Sequence, residues 1–468
     1  MVAFILPANS ATGGFDIDNS LRIEDGDSPY LQLAHGADGT TKTMTFSWWF
    51  KQGNITINRN FFGHSSVDDA IFIRSDDGFS FIMRNAADGI ITTNRKFRDN
   101  SAWYHIVLAI DTTQGTAANR IKLYVNGVQE TSFATATYPD QNTDLTGFNT
   151  NTDNQFIGRE KGGNYFDGYM AEVYFIDGVA KAPTDFGEVN DNGVWVPIEY
   201  SGSYGTNGYF LEFKQTGTSQ NSSGIGADTS GNDNHFAVNN LAATDVTVDT
   251  PTNNFATYNS LRPNNQATLS EGNCFVTGVT GGSTSMEYHQ LSTILVNKGK
   301  WYWEMKITAN NTISANTYIG CGYWDDSDST HGTTVQGCLV VSGTDIRRGG
   351  GSYGNTATFQ SSLTAPVQND IYGFAVNCDD EEITFFRNGS AHGSADNDYS
   401  GLSPEQKLLG PYAGHGGSSQ LQNIHLNTGN PAFAISSGNA DANGYGNFEF
   451  APPSGYYALC TKNLAEYG

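Results

Sequence analysis

The sequence predicts an all-β protein of two β-sandwich (jelly-roll) domains, residues 1–213 and 263–468, joined by an ordered polar connector, residues 214–262. Of its 468 residues 54 are Gly, 12% are aromatic and only 15% are charged, a composition typical of strands and turns rather than helices. Two hairpins end in Asn126-Gly127 and Asn388-Gly389, about one domain length apart. Asn-Gly between apolar strands predicts a type I′ turn, because both turn residues need positive φ.

The strands of the first domain are predicted from apolar and β-branched runs. Residues 103–110 form a continuous run that predicts a strand buried on both faces, while 121–125 alternate and predict one buried face. Residues 169–175 also alternate, which predicts a strand with Tyr169, Ala171, Val173 and Phe175 on one face and a wetter opposite face. Other strands are predicted around 20–23, 30–33, 44–50, 61–62, 70–73, 79–83, 90–93 and 155–158, with a closing strand at 209–213 paired near the N-terminal one.

Four motifs of the first domain occur in a recognisable order. They are WYHIVLAID, IKLYVNG, FIGR and FDGYMAEVYFIDG. This order resembles the laminin-G-like branch of the concanavalin A-like lectin/glucanase fold over about residues 14–213. The resemblance implies a two-sheet jelly roll that binds ligands at the loops joining its strands.

The second domain opens with GKWYWEMKI at 299–307, which places Trp301 and Trp303 on one face and Tyr302 and Glu304 on the other. The segments YIGCGY, DIYGFAVNCDDEEITFFRNG and LLGPYAGHGG follow. This order resembles a SPRY domain spanning about 268–427, with a departure in the long polar excursion at 325–365. Short helices are predicted at 184–189 and 403–409, each after a Ser or Thr cap.

The connector is rich in Gly, Ser and Asn but carries spaced apolar residues. These are expected to pack against something; they are Phe236, Val238, Leu241, Phe255, Tyr258 and Leu261. The phrases DTPTNNFATYN, SLRIEDGDSPYL and GVWVPIEYSGSYGTNG are similar to virion surface and tail-fibre proteins of marine bacteriophages. That resemblance implies a non-enzymatic virion structural protein, either a capsid decoration, a head fibre or a tail fibre. Its expected partners are other virion proteins, host-surface carbohydrate and two further copies in a homotrimer.

Charge and cysteine usage exclude several classes of partner. The formal net charge of -24 disfavours binding to nucleic acid or to anionic membrane surfaces. The five cysteines show no CxxC spacing and lie in strand-like runs, which predicts buried, reduced thiols and assembly in a host cytoplasm. The N-terminus lacks a signal-peptide pattern, and no apolar run is long enough to span a membrane.

The ligand-site candidates lie in the second domain: Trp324, Asp325, Asp328, Tyr353 and His415. Asp325, Asp326 and Asp328 form a short acidic loop that could bind calcium, or that is simply solvated, since it lacks the Gly and the terminal Glu of an EF-hand. No other cofactor is expected. Tyr204, Tyr353 and His415 are expected to be exposed aromatic side chains that could stack on sugars, with edge packing as the commoner alternative for isolated aromatic residues.

Catalytic motifs are missing from the sequence. Jelly-roll glucanases carry E-x-D-x-x-E on one strand so that two carboxylates face one cleft, and no such string occurs. Glu172 and Asp177 are five residues apart and are expected to face opposite sides of their strand. HExxH, GxSxG and P-loop motifs are also missing. The sequence therefore predicts no enzyme, with two alternatives left open: a jelly-roll carbohydrate-active enzyme, and a soluble lectin or protein-interaction module.

Overall fold

The computed structural model describes residues 14–53, 55, 57–65, 69–83, 89–145, 147–261, 267–278, 286–308, 317–323, 337–348, 357–394, 397–416 and 423–468. The chain divides into two compact units, Met1–Asn254 and Phe255–Gly468. Both units consist almost entirely of antiparallel sheets, which confirms the predicted all-β class.

The first unit contains eighteen strands among its described residues. They are β1 (Ser20–Ile23), β2 (Tyr30–Ala34), β3 (Thr43–Gln52), β4 (Arg59–His64), β5 (Ala70–Ile73), β6 (Gly78–Met83), β7 (Gly89–Lys96), β8 (Tyr104–Asp111), β9 (Ile121–Val125), β10 (Val128–Gln129), β11 (Phe133–Thr137), β12 (Asn154–Ile157), β13 (Gly168–Asp177), β14 (Gly187–Val189), β15 (Trp195–Pro197), β16 (Tyr209–Leu211), β17 (Ala237–Asn239) and β18 (Val246–Thr247). Single 3-10 turns lie at Asp25–Asp27, Ala117–Asn119, Pro183–Asp185 and Ala243–Asp245.

Two large sheets enclose the core of this unit. Sheet 1 has the order β10-β9-β8-β3-β13-β1-β18, with β16 also paired to β13, and sheet 2 has the order β11-β7-β6-β5-β4-β12-β2-β17. Aromatic side chains fill the space between them: Trp48 packs against Phe61 and Phe62 with ring centroids 5.1 and 5.0 Å apart. The predicted hairpin turn is confirmed, since Asn126 and Gly127 have φ of 47° and 77°.

Strand β13 departs from its predicted alternation. A bulge between Ala171 and Tyr174 sets two residues against one of β3, and Glu172 takes a φ of 49°. Past the bulge Val173 points into the core, while Tyr174 packs on the opposite face against Phe186 and Tyr200. The predicted wet face is wrong, because the bulge reverses the side chains and the segment around 186–200 covers the strand's outer side.

The segment predicted as a connector is divided between the two units. Residues 214–254 complete the first unit, where β17 pairs with β2, β18 pairs with β1 and Phe236 and Leu241 enter the core. Residues 255–261 belong to the second unit, where Tyr258 is in the core, while Leu261 is 44% exposed. The expected closing strand is β16 at Tyr209–Leu211, and it pairs with β13, the strand that also pairs with the N-terminal strand β1.

The second unit contains fifteen strands and one helix among its described residues. They are β19 (Ala267–Ser270), β20 (Phe275–Gly278), β21 (Met286–Leu291), β22 (Lys300–Ile307), β23 (Thr317–Tyr323), β24 (Gly337–Ser342), β25 (Asp345–Arg348), β26 (Ala357–Gln360), β27 (Ile371–Asn377), β28 (Glu382–Arg387), β29 (Ser390–Ala391), β30 (Asn397–Asp398), β31 (Leu409–Gly416), β32 (Asn423–Asn427), β33 (Tyr457–Ala458) and α1 (Thr461–Tyr467). The predicted helix at 403–409 is a 3-10 turn at Pro404–Lys407, and 184–189 is a 3-10 turn followed by β14.

Two sheets again face each other in this unit. Sheet 3 has the order β19-β20-β32-β22-β27-β28-β29, with β30 paired to β28 and β33 to β22, and sheet 4 has the order β21-β31-β23-β24-β25-β26. Trp301 and Trp303 lie in the core between them, as the alternation of β22 predicts. The other face of β22 is also buried, since Tyr302 is 1% and Glu304 0% exposed. The segment that covers it donates to Glu304 through the backbone N–H groups of Glu449 and Phe450, at 3.0 and 2.8 Å.

Cysteine burial follows the prediction. Cys274, Cys321, Cys378 and Cys460 are free and buried, and the side chain of Cys338 is outside the described part. Burial raises the pKa of Cys378 to about 12, so this thiol stays protonated and unreactive at neutral pH. No helix in the described ranges is both long and apolar enough to span a membrane.

Candidate functional site

The outer face of sheet 2 carries an open groove that crosses five strands. Its floor is a row of residues in direct register: Asn60 of β4, Phe72 of β5, Ser80 of β6, Thr92 of β7 and Thr135 of β11. Most neighbours of the first four residues along their strands lie in the core, so strand alternation places the row on the outer face of the sheet. Thr135 is exposed and Phe72 is half-buried, while Asn60, Ser80 and Thr92 are buried in the floor. We call this row with its surroundings the sheet 2 groove.

A second row beside the first gives the groove an apolar strip. Ala70 pairs with Ile82, and Ile82 pairs with Ile90. Phe72, Ile82 and Ile90 are half-buried, which is unusual for the outer face of a sheet that alternates apolar-in and polar-out. The floor forms two adjoining depressions of about 320 and 380 Å³, the size of small-molecule sites.

The loop after β12 forms one wall of the groove. The carboxylate of Glu160 accepts the backbone N–H of Gly162 at 2.7 Å and the side-chain amide of Asn164 at 2.8 Å. Asn60 of the floor donates to the carbonyl of Asn164 at 2.8 Å. Gly63 lets this wall approach, since a Cβ there would stand 2.6 Å from Cα of Glu160. The wall is therefore fixed by its own hydrogen bonds and by close backbone contact.

The groove presents amides and hydroxyls rather than paired acids. Glu160 is the one carboxylate among its described lining residues, and Arg74 at the far end lies 3.3 Å from Asp76. The exposed amides and hydroxyls of the lining belong to Asn58, Ser75, Thr135 and Asn164, while the buried hydroxyls of Ser80 and Thr92 hydrogen-bond to each other at 3.3 Å. Amide and hydroxyl groups both donate and accept hydrogen bonds, so the groove suits a neutral ligand with many hydroxyls.

The structure describes two of the side chains singled out from the sequence, His415 and Tyr204, and neither lines the groove. Trp324, Asp325, Asp326, Asp328 and Tyr353 fall outside the described residues, and so does the calcium question that depends on them. His415, expected to be exposed, is 2% exposed. It lies on β31, which pairs with β21 on one side and β23 on the other. Tyr204 is half-buried and packs edge-on against Tyr200. Neither side chain offers an open stacking surface.

Two buried titratable groups lie on the outer face of sheet 1. Burial raises the pKa of Glu172 to about 8, and Tyr174 donates its hydroxyl to the carboxylate at 2.5 Å. Burial lowers the pKa of His105 to about 3. Nδ1 of His105 accepts from the indole N–H of Trp195 at 3.0 Å, so Nε2 carries the proton and donates to Ser47 at 2.9 Å. Neither group opens onto a cleft.

Asp177, considered with Glu172 as an acid pair, has a structural role. One oxygen of its carboxylate accepts from the backbone N–H of Thr40 and from the side chain of Asn149, both at 2.7 Å. The other oxygen accepts from the backbone N–H of Asn207 at 3.2 Å. These contacts tie three loops to the end of β13. Among the described residues three other carboxylates converge, those of Glu24, Asp25 and Asp167; such acidic groups are common without an ion, and we attach no function to them.

Comparison with known proteins identifies both sandwiches. Residues 25–183 match the family model of the concanavalin A-like lectin/glucanases superfamily, and residues 300–428 match the model of the SPRY domain. The two matches confirm the fold class and the order of the domains. Such a pair of domains suggests a carbohydrate-binding or protein-interaction module. A search of curated proteins finds no match.

Solved structures with a similar chain path include three from different organisms. The SPRY domain of human HERC1 is 19% identical, covers 34% of this chain and 91% of its own, and has a TM-score of 0.26. A Bacteroides ovatus protein whose proposed role is carbohydrate binding is 17% identical, with coverages of 48% and 59% and a TM-score of 0.36. A pentraxin from Limulus polyphemus is 14% identical, with coverages of 36% and 80% and a TM-score of 0.27.

Proposed function

We propose that this chain, which carries a concanavalin A-like domain followed by a SPRY domain, is a non-enzymatic adhesion protein that binds carbohydrate in the sheet 2 groove. The observation that carries the proposal is the apolar strip of Phe72, Ile82 and Ile90 on a solvent face, bordered by amide and hydroxyl groups. A sugar ring has an apolar C–H face and a rim of hydroxyls. The strip would contact the ring face, and the polar border would bind the hydroxyls.

The absence of catalysis is part of the proposal. Retaining glycosidases need two carboxyl groups about 5–5.5 Å apart, and inverting ones need two about 6.5–9.5 Å apart. The described lining of the groove supplies one, and both oxygens of Glu160 are engaged by the wall loop. A sugar bound on this floor would meet no acid and base pair.

We further propose that the chain is displayed in several copies on a bacteriophage particle, as a capsid decoration, head fibre or tail fibre, and is assembled in the host cytoplasm. The support is the likeness of residues 20–31, 193–208 and 249–259 to virion surface proteins. The acidic net charge supports it as well, since it keeps crowded copies from associating nonspecifically. In this role its partners are other virion proteins and host-surface glycans.

The groove makes a direct prediction about binding. Replacing Phe72 by Ala should weaken binding of a recognised oligosaccharide about tenfold, equivalent to about 1.4 kcal/mol, because the central apolar contact is removed. The measurement is an array of β-glucan, agar and lipopolysaccharide oligosaccharides, followed by titration calorimetry on the best binder. Val128→Ala is the matched control, since Val128 is 65% exposed on β10 of the other sheet.

The same experiment separates adhesion from hydrolysis. The bound oligosaccharide should be recovered intact, with no new reducing ends. Equal binding by wild type and Phe72→Ala would refute the groove as the site. Release of reducing ends that one acidic substitution abolishes would favour the jelly-roll enzyme instead.

The virion role predicts a homotrimer. Light scattering should give a mass three times 50.5 kDa, and Leu261→Asp should shift it toward one chain if this exposed apolar residue lies at the contact. Phe255 is unsuitable for the test, because it is 1% exposed and its substitution would disturb folding. A monomer at high concentration that also fails to bind the source particle would exclude both the trimer and the virion role.

A further inference from the structure

Three polar side chains of the first unit meet in a buried cluster at the end of β3 in sheet 1. The amine of Lys51, the last but one residue of β3, donates to Oδ2 of Asp249 and to Oδ1 of Asn254, both at 2.7 Å. The three residues are 1%, 0% and 1% exposed. Lys51 is separated from Asp249 by 198 positions and from Asn254 by 203, and the fold alone brings it to them.

Aromatic side chains enclose this cluster. The indole N–H of Trp103 donates to Oδ1 of Asp249 at 3.1 Å, and the ring of Tyr169 lies 5.4 Å from the amine of Lys51. Both rings belong to a buried cluster with Ile17 and Trp49. Water is therefore excluded from the cluster, and proton transfer inside it runs between the side chains themselves.

The side-chain oxygen of Asn254 is held toward Lys51, although an ion pair between Lys51 and Asp249 does not require this. Nδ2 of Asn254 donates to the carbonyl of Ser101 at 2.5 Å, which holds Oδ1 toward Lys51. Because a C=O bond is about 1.23 Å long, the amine nitrogen stands within about 3–4 Å of the amide carbon. At a hydrogen-bond angle of about 120° at the oxygen, the distance is about 3.5 Å, the upper end of a near-attack arrangement between a nucleophile and a carbonyl. A buried ion pair alone contributes little net stability.

We propose that Lys51 and Asn254 join in an intramolecular amide bond, with Asp249 as the proton carrier. The proton of the amine moves to Oδ2 of Asp249 along their hydrogen bond, leaving a neutral nucleophile. The nitrogen of Lys51 forms a bond to Cγ of Asn254, and the carbonyl becomes a tetrahedral centre. Asp249 then returns this proton to Nδ2, and the second proton of the attacking nitrogen also passes to the departing group. The bond from Cγ to Nδ2 breaks, the carbonyl re-forms and an ammonium ion leaves.

The reaction balances without any further reagent. One protonated amine and one primary amide give one secondary amide and one ammonium ion, with no oxidation or reduction. Asp249 ends in the carboxylate form in which it began, held by Trp103. The product links the central strand β3 to Asn254, the last residue of the first unit.

The experiment is the intact mass of the full-length purified chain. We expect a mass lower than the sequence mass by one ammonia molecule, and a branched peptide that joins the segments containing Lys51 and Asn254 after digestion. Lys51→Arg and Asp249→Asn should each restore the sequence mass. Asn254→Asp should lose water in place of ammonia.

Lys214→Arg is the matched control, because Lys214 also has a carboxylate at 2.7 Å, that of Glu212, but its side chain is 48% exposed; this variant should keep the ammonia loss. A wild-type chain with the full sequence mass, and with both segments recovered as linear peptides, would overturn the proposal even if the variants fail to fold. An ammonia loss that persists in Lys51→Arg would also overturn it, because an asparagine elsewhere would then have reacted.

Discussion

Replacing Glu304 by Gln should lower the free energy of unfolding of the second unit by about 2–4 kcal/mol. Oε1 of Glu304 accepts from the backbone N–H of Phe450 and Oε2 from that of Glu449, and Asn427 donates to Oε2 at 3.1 Å. A carboxyl group accepts at both oxygens, but an amide nitrogen accepts nothing. Whichever way the glutamine side chain is oriented, at least one buried N–H would therefore face another donor.

The effect should be local as well as global. Hydrogen exchange of the full chain should rise at residues 447–450, where the backbone donors lose their acceptor, before it rises in the sheets. Glu382→Gln is the control, since Glu382 lies half-buried on β28 and should change stability by no more than about 0.5 kcal/mol. Unchanged exchange at 447–450 in the Glu304 variant would contradict the assigned role of this carboxyl.

Replacing Glu172 by Gln should instead raise the free energy of unfolding of the first unit. Burial raises the pKa of Glu172 to about 8, and its carboxyl group receives one hydrogen bond, from Tyr174. Glutamine can accept that bond through its own oxygen without burying a charge. Glu172→Gln should therefore stabilise the first unit by about 2–4 kcal/mol at pH 8, within the limit of about 5 kcal/mol that the full pKa shift allows.

The gain should depend on pH in a defined window. The folded state of the wild type holds its proton up to a pH of about 8, whereas the unfolded chain releases it near the ordinary value of about 4.3. Wild-type stability therefore falls as pH rises through this window, and the variant lacks that fall. Urea unfolding should be measured at pH 4, 6 and 8. The free energy of unfolding of the variant minus that of the wild type should be near zero at pH 4 and should increase with pH. Glu188→Gln, at an exposed position, should show none, and a pH-independent difference at Glu172 would refute the argument.

Local signals predicted the elements well. Asn126-Gly127 and Asn388-Gly389 each supply two residues at positive φ. The conformation of such a turn is determined by these two residues, so it can be predicted without knowledge of distant parts of the chain. Alternation in β22 placed Trp301 and Trp303 in the core for the same reason. The order of the two sandwiches also followed, because each motif lies within one strand or hairpin.

Features that depend on distant pairing did not follow from the sequence. The bulge at Glu172 lies where the register of β13 against β3 shifts by one residue, and no run of residues near Glu172 signals it. Burial of His415 depends on strands that lie on either side of β31. Residues 214–254 have a polar composition that did not predict strands, yet β17 and β18 of this segment complete both sheets of the first unit.

The candidate site was missed for a related reason. Asn60 and Thr135 lie 75 positions apart (135 minus 60), and only the register of five strands places them in one row. One signal was present: Phe72, Ile82 and Ile90 are apolar residues on the faces of strands that alternation assigns to solvent. Excess apolar character on a predicted outer face is a sign of a binding surface, and it could have directed attention to this sheet.

The position of Lys51 also determines how the first unit would carry mechanical load. Asn254 is the last residue of the unit, so with the proposed amide bond formed, tension from the following chain would pass through its side chain to Lys51 on the central strand of sheet 1. Strand β3 is paired along its length with β8 and β13, so many hydrogen bonds would share the load. The load would then not act first on the two-residue strand β18 at the sheet edge, whose few hydrogen bonds would otherwise break one after another.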